Sequence, residues 1–241
     1  MTKKEFKEVM EVLPKVAKDE TRPILQGVYF GAKEVVAIDG YRLSKRLLNS
    51  ELSGEYVILG KDLKEVVKAC KRDIEQVEII FEDNVMINLY DAEKKILNSF
   101  ECRLLDGRFI AYRSLLPNEF SGAIEIDAKK ILDIIKPFKK NSHIALEFID
   151  EEIKVYQIGH EGDKYDRKTV LNEVGRIDLK KKVNKELLIA VNVTYLIEAL
   201  KGYKEVKINY IDKISPVVID NGKKYDMLLP IRLINVEKLV A

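Results

Sequence analysis

Lys61-Asp62-Leu63-Lys64-Glu65-Val66-Val67-Lys68-Ala69-Cys70-Lys71 carries two periodicities at once. Leu63, Val66, Val67 and Cys70 fall at i, i+3, i+4 and i+7, one apolar face of a 3.6-residue helix. Lys61, Lys64, Lys68 and Lys71 are spaced 3, 4 and 3, which aligns four ammonium groups along another face. Outward from this stretch the apolar pattern returns three times: at Phe6/Val9/Met10/Leu13, at Ile131/Ile134/Ile135/Phe138 and at Leu196/Ala199/Leu200/Tyr203. The first members, at positions 6, 63, 131 and 196, are 57, 68 and 65 residues apart. A repeat of this kind is read before anything else, because it sets the architecture.

Strand-like runs follow every helix. They are Val28–Phe30, Val35–Ile38 and Tyr41–Leu48; Val77–Phe81, Val85–Tyr90 and Ile96–Leu104; Ile144–Ile149, Ile153–Ile158 and Lys168–Val174; and Glu205–Tyr210, Pro216–Asp220 and Tyr225–Leu229. Asn221-Gly222 is a hairpin turn between the last two. Short apolar strands, Tyr56–Leu59, Ala123–Ile126 and Leu187–Val191, lead into helices two to four. The unit is β-α-β-β-β, present four times, with its first strand missing or very short at the N-terminus. Short loops join antiparallel strands, so each unit can form one sheet with its helix on one face. The fold class is α+β: two domains of two units each, residues 1–117 and 118–241, with the boundary near Pro117. No Gly/Ser linker separates them.

The charge is uneven. The helical windows 2–18, 61–72, 127–140 and 192–204 hold 17 Lys and Arg against 8 Asp and Glu, about +9, whereas the whole chain is +2. Everything else therefore carries about −7. Basic helices facing a polyanion would give this distribution, through phosphate attraction that reads no sequence. Lysines solvating the outer faces of ordinary amphipathic helices would give it too, and the fourth helix adds only Lys201 and Lys204.

Hydrophobic residues at 46% and charged residues at 34% fit ordinary cores, and no apolar run approaches the roughly 20 residues of a membrane span. The charged start, Met-Thr-Lys-Lys-Glu-Phe-Lys-Glu, is unlike a signal peptide, so a cytoplasmic protein without membrane association is expected. Cys70 and Cys102 then read as reduced thiols. His143 and His160 lack metal spacing and read as surface or loop residues. Glu151-Glu152 and Asp163/Asp166 read as solvated acids near turns. No P-loop, Gly-x-Ser-x-Gly or Gly-x-Gly-x-x-Gly appears, so no catalysis, metal or cofactor is expected.

Five motifs in order carry a resemblance. Arg22-Pro23-Ile24-Leu25-Gln26-Gly27-Val28 with Ala37-Ile38-Asp39-Gly40-Tyr41-Arg42-Leu43, and Leu105-Asp106-Gly107-Arg108-Phe109 running on to Tyr112 and Leu116-Pro117, resemble the middle domain of the bacterial DNA polymerase III beta subunit family, the sliding clamps. Asn192-Val193-Thr194-Tyr195-Leu196, Ile214-Ser215-Pro216-Val217 and Leu229-Pro230-Ile231-Arg232-Leu233 resemble its last domain. The resemblance implies helices lining a ring and sheets outside it. Lys61, Lys64, Lys68, Lys71, Lys129, Lys136 and Lys140 would then face duplex DNA. Known clamps close six such domains, so two-domain subunits imply a homotrimer, joined through head-to-tail sheet edges. Polymerases, other clients and a clamp loader are the partners implied. The alternative is a non-ring decoy or adaptor that binds clamp clients or host clamp subunits.

In the family, clients insert a short Q-L-x-L-F-like peptide into an apolar pocket between the middle and last domains. The matching positions are Leu25, Ile38, Gly40, Tyr41, Arg42, Leu43 and Leu115, with Pro216, Met227, Leu228, Leu229, Pro230, Ile231, Arg232 and Leu233. Two apolar anchors supply roughly 1.5–3 kcal/mol each on burial, partly offset by ordering of the peptide. Three positions depart from the family: Tyr41 replaces a common histidine, Ile38 a threonine, and Ile110-Ala111 a Pro-Asp pair. The family usually stops near Leu233, whereas residues 234–241 continue here. That tail is expected to fold near the pocket and compete with clients, unless it is a merely packed or frayed terminus.

Overall fold

Each of the four amphipathic stretches is helical in the computed structural model of the chain, which describes residues 1–82, 84–138, 142–161, 168–183 and 185–238. They are α1 (Lys3–Val9, continued by a 3-10 segment, Met10–Lys15), α2 (Gly60–Ala69), α3 (Ala128–Ile135) and α4 (Val193–Leu200). Three start on side-chain caps: Thr2 accepts from the Glu5 N–H, Asp127 from Lys129 and Asn192 from Tyr195, at 3.2, 2.8 and 3.2 Å. The helices are shorter than the sequence windows. Pro14 has no N–H to continue an α-helix, and Pro137 disfavours helical backbone at the residue before it. Lys71 consequently lies beyond α2, and the four-lysine face is three lysines long.

Contacts divide the chain into two units, Met1–Leu115 and Leu116–Ala241. The first holds β1 (Gly27–Phe30), β2 (Glu34–Ile38), β3 (Arg42–Leu47), β4 (Tyr56–Leu59), β5 (Gln76–Phe81), β6 (Val85–Tyr90) and β7 (Ile96–Cys102). The second holds β8 (Gly122–Asp127), β9 (His143–Ile149), β10 (Glu152–Glu161), β11 (Lys168–Asp178), β12 (Leu187–Asn192), β13 (Glu205–Tyr210), β14 (Val217–Asp220), β15 (Lys224–Leu228) and β16 (Val236–Lys238).

The repeats do not each close their own sheet. The strand leading into α2 pairs with β1, giving the order β4-β1-β2-β3, and the strand leading into α3 pairs with β13, giving β15-β14-β13-β8. Likewise β12, which leads into α4, closes on β9 in the order β12-β9-β10-β11. Leading strands are thus exchanged between the two repeats of a unit. At the leading position of the first repeat the chain makes one rung. Thr2 bridges Gln76, the Met1 amine donates to the Val77 carbonyl at 2.8 Å, and the Val77 N–H donates back to Met1 at 2.9 Å.

Each unit buries its helices against both of its sheets. In the first, Phe6, Val9, Leu63 and Val66 join Val28, Phe30, Ile58, Val77, Ile87 and Leu89 in one core. In the second, Ile131, Ile135, Leu196 and Leu200 join Ile144, Phe148, Val206, Ile208 and Ile219. Packing leaves no slack at Gly27, where an added Cβ would lie 2.4 Å from Val57 Cγ1 and 2.9 Å from Leu105 Cδ1. Gly27→Ala should therefore cost about 1–3 kcal/mol in urea unfolding, the range for overpacking a filled core; an unchanged midpoint would contradict this packing.

Asp62, in the first turn of α2, ties that helix to the residue after β7. Its carboxylate accepts from the Arg103 N–H and Nε at 3.0 Å each and from Nη2 at 2.9 Å. These bonds, opposed by partial burial, hold the carboxyl below its ordinary range. A depressed folded pKa stabilises above the unfolded value of about 3.9 and loses that contribution as pH falls through it. The stability difference between wild type and Asp62→Asn should accordingly shrink as pH drops below about 4. A difference that stays constant from pH 7 to pH 3 would contradict the assignment.

Candidate functional site

The helix lysines come first. Lys61, Lys64 and Lys68 project from α2 and are exposed, opposite the buried Leu63 and Val66; Lys68 lies 2.7 Å from Glu65. Lys71 is exposed in the turn beyond the helix. Lys129 sits in the first turn of α3 and Lys136 at its C-cap, both exposed. Lys140 lies outside the described residues, as do Asp163 and Asp166. Lys15, counted with the first helix, is buried and donates to the Glu11 carbonyl at 2.8 Å. His143 and His160 stand in strands β9 and β10 rather than in loops.

In the first unit the segment from Ile38 to Leu43 forms a braced turn. Asp39 Oδ1 accepts from the Tyr41 and Arg42 N–H groups at 3.1 Å each, and Asp39 Oδ2 from Arg42 Nε at 2.7 Å. Gly40 takes φ +88°, a region that costs glycine nothing. Arg42 Nη2 donates to the Pro14 carbonyl at 2.6 Å, so this guanidinium is engaged in the fold and only 7% exposed. Leu25, Ile38 and Leu43 are buried beneath. The turn presents Tyr41, 64% exposed; Leu115, ending the unit's last 3-10 segment, is also exposed. Phe109 of the Leu-Asp-Gly-Arg-Phe motif stacks on Tyr29 at 5.1 Å. Tyr112 and Arg113 both donate to Glu34. Burial alone would raise the Glu34 carboxyl, but these donors and Lys45 outweigh it and hold it low.

In the second unit Met227 and Leu228 are buried on β15, whereas Leu229 is exposed just after it. Pro216 and Pro230 are half-buried. Ile231 then bridges Ala190 of β12, donating its N–H to that carbonyl at 2.7 Å. Ile231, Arg232 and Leu233 line a groove of about 680 Å³ together with Leu188 of β12 and Ile214. Lys185, Lys213 and Arg232 supply positive charge beside it, Glu186 and Asp212 negative. Ile214, 65% exposed, was absent from the sequence-derived set; it is an apolar residue in an otherwise polar turn, held up by Asp212 Oδ1, which accepts from the N–H groups of Ile214 and Ser215 at 2.8 and 2.7 Å. Val236 of the tail lines the same groove.

Residues 1–110 match the family model for the central domain of the DNA polymerase III beta subunit. The beta sliding clamp of Streptococcus pneumoniae is 29% identical over 216 residues, 83% of this chain and 54% of that protein. That of Bacillus subtilis is 27% identical over 234 residues, 90% and 59% respectively. Among solved structures, the DNA polymerase beta subunit of Streptococcus pyogenes superposes with a TM-score of 0.75 at 24% identity, over 96% of this chain and 65% of that one. The Bacillus subtilis sliding clamp gives 0.77 at 23%, over 97% and 64%. The chain spans a little over half the length of the curated relatives it matches. With the central-domain match over residues 1–110 and the clamp fold through both units, the chain is similar to the DNA polymerase III beta subunit family, the sliding clamps.

Proposed function

We propose that this chain is a sliding-clamp subunit that encircles duplex DNA as a ring of three copies and tethers a polymerase without reading sequence. The observation that carries the reading is the concentration of exposed lysine on α2 and α3 in a chain whose remainder is acidic. Mobile, water-mediated contacts to phosphates hold the ring on DNA while leaving it free to slide. The chain binds and performs no chemistry in this reading. Among the described residues no helix is long and apolar enough to cross a membrane.

The two residue sets, around Tyr41 and around Ile231 to Leu233, are proposed to take the short apolar peptide of polymerases and other clients. A clamp loader is the further partner proposed. Copies join through sheet edges: β7 ends the three-stranded sheet of the first unit, and in the second β11 is covered by β16 over residues 169–171. Light scattering after size exclusion should give a mass near three times the 27.8 kDa subunit at high concentration. A monomer at every concentration would remove the ring and leave the adaptor reading in its place. Client contact has its own check: Ile214→Asp should weaken binding of a labelled Gln-Leu-x-Leu-Phe peptide about tenfold or more, because it puts a charge where an apolar anchor is buried. Unchanged affinity would remove the groove from the site.

A further inference from the structure

The last described strand differs from every other in its sheet. β16 adds to β11 in parallel, pairing Val236, Glu237 and Lys238 with Thr169, Val170 and Leu171, whereas β9, β10, β11 and β12 pair antiparallel. It occupies only part of an eleven-residue strand; among the described residues nothing pairs with the outer side of 172–178.

The tail's attachment changes character along its length. Ile231 and Leu233 pack on Ala145, Tyr156, Leu171 and Ala190, so the root is held by buried apolar surface. At Asn235 the backbone turns through φ +46°, a conformation asparagine tolerates better than most residues. Beyond it all three residues of β16 are exposed, Val236 by 42%. What holds them is polar. The Thr169 N–H is shared between the carbonyls of Ile234 and Asn235 at 3.1 and 3.2 Å, the Ile234 N–H donates to Thr169 Oγ1 at 3.3 Å, Lys168 faces Glu237 at 3.8 Å, and Lys238 meets Glu147. The Lys168–Glu237 pair is exposed on both sides and contributes little, the Lys238–Glu147 pair is exposed on its lysine side alone, and a short strand without buried side chains opens at the low end of the local stability range. The root stays while the strand lets go.

We propose that β16 is a displaceable guard of the β11 edge, lying on its strand-addition side until a strand from a second copy of this chain replaces it. The inference rests on the ring reading and adds to it an internal competitor for assembly. The partner strand is β7, which ends the three-stranded sheet and carries Ile96, 49% exposed, with one charged residue, Glu101; β11 carries Lys168 and Arg176 together with Glu173 and Asp178, so no net charge opposes its approach. An edge left bare is a template for indiscriminate pairing, and covering it with the chain's own tail is a known way of restraining such pairing.

The test is the concentration dependence of the mass of three full-length or truncated proteins. One is wild type, one is truncated after Leu233, and one is Lys238→Glu, which sets a carboxylate against Glu147 while keeping the chain length. Loss of a few weak backbone bonds corresponds to a shift on the order of tenfold. Both variants should therefore assemble at a concentration about tenfold lower than wild type. Unchanged or higher midpoints in both variants, with wild type assembling, would overturn the guard and leave the ring standing. Monomers in all three at every concentration would overturn the ring reading and the guard with it.

Discussion

Reversing Lys61, Lys64 and Lys68 together to glutamate will cut DNA affinity steeply and flatten its salt dependence. Each phosphate contact adds about 0.9 to the slope of log affinity against log salt concentration. The triple variant should therefore lose about 0.9 per lysine that faced a phosphate, and processive synthesis should fall with it. All three side chains are exposed on α2, so the fold should lose no more than about 1.5 kcal/mol, about 0.5 for each substitution. Reversing Lys94 and Lys95, exposed at the β6–β7 hairpin, supplies the control, since these lie on no helix and should leave the slope unchanged. Equal slopes for wild type and the α2 variant would mean that these lysines only solvate their helix.

Phe6→Ala will destabilise the first unit by about 3–5 kcal/mol, the range for removing a buried aromatic side chain from a packed core. Phe6 is fully buried, in the same core as Val9, Leu63, Val66 and Ile74. The prediction bears on the one irregularity of the repeat. At the leading position of the first repeat Thr2 bridges Gln76, and α1 packs into the core through the buried Phe6 and Val9. Urea unfolding measures the change, and a loss under 1 kcal/mol would show that α1 is not an integral part of this core.

The repeat was legible in the sequence because helix and strand periods differ, and the four apolar stripes mark the four helices with their buried residues correctly placed. Strand exchange between repeats was not legible. A period of two says which residues face a core but not which neighbour a strand takes, so β4 and β8 carry nothing that names their partners β1 and β13. Helix ends ran long in the sequence reading because apolar spacing continues past them at Phe138 and Tyr203, while Pro137 and Gly202 end the helical backbone. β16 is three exposed residues with no alternation to read, and only the fold brings it to β11.

The resemblance names candidate site positions, and only the fold separates those that reach solvent from those that are buried. Tyr41, Leu229, Ile231 and Arg232 are accessible, whereas Leu25, Ile38, Leu43, Met227 and Leu228 form the buried support. Arg42, one of the matched pocket positions, is hydrogen-bonded in the fold to Asp39 and to the Pro14 carbonyl. Ile214 stands within a recognised motif, yet only the fold brings it to the groove that Ile231 also lines.

The claim that most needs testing is topological retention on DNA. The protein is assembled at low salt around a nicked circular duplex, the excess is washed away, and the duplex is then cut once. The account predicts slow loss from the intact circle and rapid loss after the cut, because a ring slides off a free end. Equal loss before and after cutting would contradict it.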